Sequence, residues 1–173
     1  SRLVEIRARI DGFLEKRVYN EGQLVKEGDV MFLMDKKPFE ASLQQAKGEL
    51  SQQEAKLLNA QANLNRIRPL AEKNAMSKKD LDDAIGNEQT AQAAVITAQG
   101  KLRQAELNLG YTTITSPVTG ISSKARKQEG SYISNADNLL TTVAQLDPIY
   151  INFSVSEYDI LRITDEIKSG NIV

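Results

Sequence analysis

Residues 66 to 80, RIRPLAEKNAMSKKD, gather most of the side chains in this chain that could do chemistry. Arg66, Arg68, Lys78 and Lys79 could meet phosphates, but no aromatic lies near to stack a base, so nucleic acid is not the partner this spacing suggests. Asp80, Asp82 and Asp83 could suggest a cation, yet they lack calcium-loop spacing and its glycine. Directly behind Ser77 they read instead as the acidic first turn of a helix, with Ser77 as its N-cap and Asp80 as the supporting acid. Arg66 is by default a solvated charge. Leu70 either closes the end of a hairpin against Leu81 or stands out as a small apolar anchor. The chain has no Cys and no His, which removes zinc and haem ligation, disulfides, thiol nucleophiles and His-based triads together. Neither G-x-x-x-x-G-K-[ST] nor G-x-G-x-x-G occurs. The expectation is recognition without catalysis, metal or cofactor.

The elements that position this stretch are two heptad-patterned arms. Leu43, Leu50, Leu57 and Leu64 recur every seven residues, with Ala46, Ala60 and Ile67 three places on and Gln53 as the exception. After the turn, Leu81, Val95, Leu102 and Leu109 combine with Ala84, Ala91, Ala98 and Ala105, and Glu88 interrupts the larger-residue row. All nine aromatic residues lie outside residues 40 to 110, so this region has no globular core of its own. The pattern predicts an antiparallel coiled-coil hairpin over 38–109, with arms at about 38–73 and 77–109 and a tip at about 66–80. Pro38 suits the first turn of the first arm and Gly110 the position just past the second. Pro69 predicts a kink or an end near 67 to 69. Each arm would run roughly 50 to 55 Å. A two-helix hairpin is marginal alone, so lateral packing against further copies is expected.

The segments outside the hairpin repeat each other. Placing residue i on i+108 aligns Gly12 with Gly120, Lys16 with Lys124, Glu21-Gly22 with Glu129-Gly130 and Asp29 with Asp137, without a gap. Each copy is a set of short strands whose apolar residues need a partner face, and the other copy is the natural partner. Residues 1–37 and 110–146 are therefore expected to close into one β-sandwich, elongated by the hairpin into an α+β whole. In 147–173, Ile149, Ile151, Phe153 and Val155 alternate as a strand, followed by a short helix, and begin a further unit. The net charge of -1, from 22 basic and 23 acidic residues, points to no bulk electrostatic partner. No apolar run reaches 18 residues.

Four stretches together resemble the periplasmic adaptor, or membrane fusion protein, family (HlyD family) of tripartite efflux pumps. They are GFLEKRVYNEGQLVKEGDVMFLMD and TTITSPVTGI for a split lipoyl-like (biotinyl/lipoyl-carrier) domain, RIRPLAEKNAMSKKDLDDA for the hairpin tip, and LDPIYINFSVSEYDILRI for entry into a β-barrel domain. The resemblance implies that Arg66, Leu70 and Ser77 dock on a TolC-like outer-membrane channel. It implies an inner-membrane transporter of the resistance-nodulation-division (RND) type as the second partner, with an ABC-type exporter as the alternative. It also implies homo-oligomers, hexameric in the assembled pump, in the periplasm of a Gram-negative bacterium, anchored to the inner membrane through a segment absent from this chain. A lipoyl-like fold raises one distant alternative, a carrier domain modified on Lys36. Pro38 and a helical arm follow that lysine at once, where a carrier would have a tight exposed turn.

Overall fold

The computed structural model describes residues 2–146, and the expectations for 147–173 lie outside the described residues. Eight short strands are interrupted by two long helices. The first half supplies β1 (Arg2–Arg7), β2 (Gly12–Arg17), β3 (Leu24–Val25) and β4 (Val30–Met34). Helices α1 (Lys37–Glu72) and α2 (Lys78–Tyr111) follow. The second half supplies β5 (Thr113–Thr115), β6 (Gly120–Ser122), β7 (Tyr132–Ile133) and β8 (Leu139–Gln145). The strands form two four-stranded sheets, β1-β8-β6-β3 and β5-β4-β2-β7, and every pairing is antiparallel.

Each half gives two strands to each sheet, and the repeat at 108 explains how. Adding 108 carries β3 onto β7 and β2 onto β6, and the pairing Leu24↔Ile121, Val25↔Gly120 becomes Tyr132↔Phe13, Ile133↔Gly12. The aligned Glu-Gly pairs link the halves reciprocally. Arg17 N–H donates to Glu129 Oε1 at 2.9 Å, and Ala125 N–H donates to Glu21 Oε1 at 2.9 Å. Gly22 N–H donates to Ser122 O at 2.9 Å, and Gly130 N–H to Leu14 O at 2.7 Å. Both glycines hold a positive φ, 77° and 84°, a backbone region that costs a residue with a Cβ about 1 kcal/mol or more. Neither half completes its own sheets, so the sandwich exists only once the two are joined.

One apolar cluster lies between the sheets: Ile6, Val25, Leu140 and Val143 from one, Leu14, Phe32, Met34, Ile114 and Ile133 from the other. In β4 the register shifts between Val30 and Phe32, and Met31 and Phe32 are both buried. The Tyr19 ring meets Phe32 edge-on, its centroid 5.3 Å away, while its hydroxyl donates to Ser123 O at 3.0 Å. Burial pushes that phenol's pKa up. Among the described residues every buried side-chain polar atom has a partner. The buried Thr141 hydroxyl, for instance, lies 3.1 Å from the carbonyls of Ser123 and Lys124.

The hairpin leaves this sandwich between β4 and β5. Positions 43, 46, 50, 53, 57, 60, 64, 67 and 71 on α1, and 81, 84, 88, 91, 95, 98, 102, 105 and 109 on α2, are all buried or half-buried. Of the fully buried ones, Ala46, Ala84, Ala98 and Ala105 let the helices come close, while Leu64 and Val95 fill the space between. Leu43, Leu50, Leu57, Ala91 and Leu102 are half-buried along the same line. Gln53 and Glu88, the two exceptions in the pattern, occupy seam positions and are half-buried too. Lys101 Nζ bridges the arms to Glu49 at 2.6 Å.

Two local expectations are corrected. Gly110 does not follow α2 but lies in its last turn, with Thr112 as the C-cap. Tertiary pairing sets that end: Met34 N–H donates to Thr112 O at 2.8 Å, Thr113 sits opposite Leu33, and the Thr112 hydroxyl donates to Leu109 O at 2.6 Å. Of the two outcomes expected at Pro69, a kink or an end, the end does not occur: α1 stays helical to Glu72, with one ladder bond lost to the missing N–H. Pro38 does occupy the first turn of α1, and the Asp35 carboxylate accepts from Lys37 N–H at 3.0 Å.

Candidate functional site

The hairpin tip is a short turn held by a cap on each side. At the end of α1, Asn74 adopts φ 55°, the left-handed conformation that asparagine tolerates best after glycine. Ala75 N–H then reaches back to Leu70 O at 2.8 Å, and Asn74 N–H to Ala71 O at 3.0 Å. This pair of bonds is a Schellman motif, which satisfies the helix's last carbonyls. At the start of α2, Ser77 Oγ accepts from Asp80 N–H at 3.1 Å, while Ser77 N–H donates to Asp80 Oδ2 at 3.2 Å. The Ser77 hydroxyl itself donates to Asp80 Oδ2 at 2.6 Å. The N-cap expected from the sequence is thus present as a reciprocal capping box.

Around this frame the side chains sort by helical position. Ala71 occupies the seam, half-buried like Leu81, whereas Leu70 stands outside it and is 40% exposed. Arg66 lies one turn before Leu70 on the same helix face and is exposed. Ser77 lies on the other side of the turn as the N-cap of α2, and its hydroxyl is engaged in the cap. Two tip residues escaped the sequence reading. Asn74 looked like any polar turn residue, although Asn just past a helix end is a signal for this motif. Met76 is 36% exposed and, with Leu70, is one of the large apolar side chains the tip presents. Arg66, Arg68, Lys73 and Lys78 enter no ion pair among the described residues, whereas Lys79 Nζ is bound to Asp83 at 2.6 Å.

Two predictions follow from the caps. Replacing Asn74 by Gly should leave the melting temperature level or higher, because glycine adopts the same conformation without a Cβ. Asn74→Val should lower stability by about 1–2 kcal/mol, and equal melts for the two variants would contradict the motif. The second concerns acid. The Ser77 hydroxyl, and after it the Ser77 N–H, hold the Asp80 carboxyl below the usual carboxylate range. Because the folded pKa is the lower one, the cap's contribution is full above the unfolded value of about 3.9 and is lost as pH falls through the folded one. The melting gap between the parent and Asp80→Asn should hold from pH 8 to about 5 and close as pH falls through the depressed folded pKa. A gap that persists at the lowest pH would overturn this.

Elsewhere the structure offers little chemistry. Lys36 is the residue before α1 and is exposed, and the chain runs from it into a helix rather than a return strand. Among the described residues no group of acidic side chains is placed to hold a metal, and no helix is long and apolar enough to cross a membrane. A groove of about 790 Å³ at the hairpin's base is lined by Arg7, Arg9, Arg103, Leu107 and Tyr111, with others. Glu5 and Asn138 hold Arg7, at 2.8 and 2.7 Å, and Arg9 lies over the Tyr111 ring, 5.3 Å from its centroid. Of these contacts, the one between Arg9 and Tyr111, the last residue of α2, crosses from sandwich to hairpin.

Known proteins share this arrangement. Residues 42–112 match the family model described as "RND MFP, alpha-helical hairpin domain". Multidrug resistance protein MdtE of Escherichia coli (strain K12) is 37% identical over 171 residues, covering 98% of this chain and 44% of that protein. Efflux pump periplasmic linker BepD of Brucella suis biovar 1 is 38% identical over 164 residues, covering 94% of this chain and 41% of that one. The crystal structure of MacA from Actinobacillus actinomycetemcomitans superimposes with a TM-score of 0.72 at 27% identity, over 93% of this chain and 54% of its own. This chain therefore spans less than half the length of these curated relatives. A hairpin inserted between the two halves of a twofold-repeated sandwich, matched over almost the whole chain, places it: the chain belongs to the membrane fusion protein family, the periplasmic adaptors, and carries the RND-type α-helical hairpin domain.

Proposed function

We propose that this chain supplies the lipoyl-like and hairpin parts of a periplasmic adaptor that bridges an inner-membrane RND-type transporter and a TolC-like outer-membrane channel for the efflux of drugs or other solutes. The observation that carries the reading is the RND-type hairpin, which holds an exposed Leu70 at the far end of two helices of 36 and 34 residues. At 1.5 Å per residue those helices set the tip about 50 Å from the sandwich. A capped tip that distant is suited to meeting a partner the sandwich cannot reach. Arg66 and Leu70 supply an apolar anchor with a cationic rim, and Ser77 belongs to the same end. The role is mechanical: the adaptor catalyses no reaction and needs no cofactor. Copies pack side by side, six to a pump, through the exposed faces of the arms. The matched hairpin type favours an RND transporter over an ABC-type exporter.

Residues 1–173 hold no cysteine, so a single one introduced here reports on its own position once any cysteine elsewhere in the protein is replaced. A single cysteine placed at Lys73 in the full-length protein, treated in cells with a short bifunctional cross-linker, should join the adaptor to the outer-membrane channel. One placed at Lys16, in the sandwich, should not. Capture of the inner-membrane transporter from position 73, with no channel, would reverse the assignment.

A further inference from the structure

The docking reading names Arg66, Leu70 and Ser77, but the structure distributes their roles differently. A serine hydroxyl has one proton to donate and two lone pairs. In Ser77 the proton goes to Asp80 Oδ2 at 2.6 Å, and one lone pair takes Asp80 N–H at 3.1 Å. The hydroxyl therefore has no proton left for a partner and keeps a single lone pair that could accept. Met76, the residue before it, is 36% exposed in a turn that is otherwise polar or small. The Schellman bond from Ala75 N–H to Leu70 O, 2.8 Å, ties the residue preceding Met76 to the backbone of Leu70. The capping box fixes the residue that follows it. The backbone of Met76 is thus fixed from both sides, six residues beyond the other exposed large apolar side chain of the turn region, Leu70, and methionine packs well against surfaces of uneven shape.

We propose that Leu70 and Met76 together form a two-knob apolar docking face, and that Ser77 is a positioning residue which acts on docking through the cap that holds Met76 in place. This rests on the docking reading above and deepens it. The partner surface then needs a divided apolar socket. It also needs carboxylates or carbonyls at its edge, to meet Arg66, Arg68, Lys73 and Lys78, which no acid of the described residues neutralises.

The test measures the affinity of the chain for a purified TolC-like channel in nanodiscs, with thermal melts alongside. Met76→Ser should weaken binding by roughly 10-fold, as truncation of an interface anchor does, without moving the melt. Ser77→Ala should weaken it as well, and Ser77→Asn, which restores a capping acceptor without the hydroxyl, should recover most of that loss. Binding by Met76→Ser equal to the parent's would overturn the second knob. A Ser77→Asn variant as weak as Ser77→Ala, with its melt restored, would make Ser77 a direct contact and overturn its positioning role. If the parent itself does not bind the channel, the docking reading fails, and the inference fails with it.

Discussion

Gly120→Ala is expected to destabilise the sandwich by about 3 kcal/mol, the upper end of what overpacking usually costs and a large share of the 5–15 kcal/mol usual for a domain. Gly120 lies in β6, opposite Gln145 of β8 and Val25 of β3. A Cβ there would stand 2.3 Å from Ala144 O, 2.8 Å from Ala144 C and 2.9 Å from Val143 Cγ1. Two of those atoms are backbone of the strand beside it, so no rotamer change relieves the clash; β8 must move away from β6. Displacing β8 also disturbs its other partner, β1, since Arg2 to Arg7 pair with it along their whole length. Chemical denaturation of the variant should show a lowered midpoint or no folded baseline. Gly100→Ala provides a control of opposite sign. Gly100 is helical with nothing within 4 Å of the built Cβ, and the same substitution there should gain up to about 1 kcal/mol. A Gly120→Ala variant within 1 kcal/mol of the parent would mean that the β6–β8 contact is looser than described.

Phe32→Ala carries the second large effect, about 3–5 kcal/mol. Phe32 is fully buried in β4, a strand paired on both sides, and it packs against Tyr19 in the cluster that joins the sheets. Removing the ring leaves a cavity bordered by residues of both halves, and neither half can close it alone. Phe13→Ala separates burial from aromaticity. Phe13 makes a similar edge-on contact, 5.1 Å to Tyr132, but is 56% exposed, and its loss should cost under about 1 kcal/mol. Comparable midpoints for the two variants would contradict this description of the core.

Much of this fold was legible because it depends on repetition. A gapless alignment at 108 residues needs only Glu21-Gly22 and Glu129-Gly130 to be visible, and these residues turned out to be the reciprocal links between the halves. The seven-residue spacing of Leu43 to Leu64 was equally plain, and Ser77 with Asp80 announced a helix start. What was hidden depended on contacts distant in sequence. Gly110 has the composition of a helix stop, but Thr112 and Thr113 are held by β4, and that pairing placed the end two residues later. Pro69 signals a break, yet so near the terminus it removes little. Asn74 and Met76 look like filler in a polar turn; a backbone angle and a fractional exposure single them out, and neither is written in residue type.

Docking of the hairpin tip on the outer-membrane channel, as proposed, can be read from a binding titration. The chain, its Leu70→Ser variant and its Arg66→Glu variant are each titrated against a purified TolC-like channel, with circular dichroism and melts recorded on the same samples. Both side chains are exposed, so stability should move by no more than about 0.5 kcal/mol. Docking through the tip predicts that both variants stay folded and bind roughly 10-fold or more weakly than the parent. Folded variants that bind the channel as tightly as the parent would contradict it.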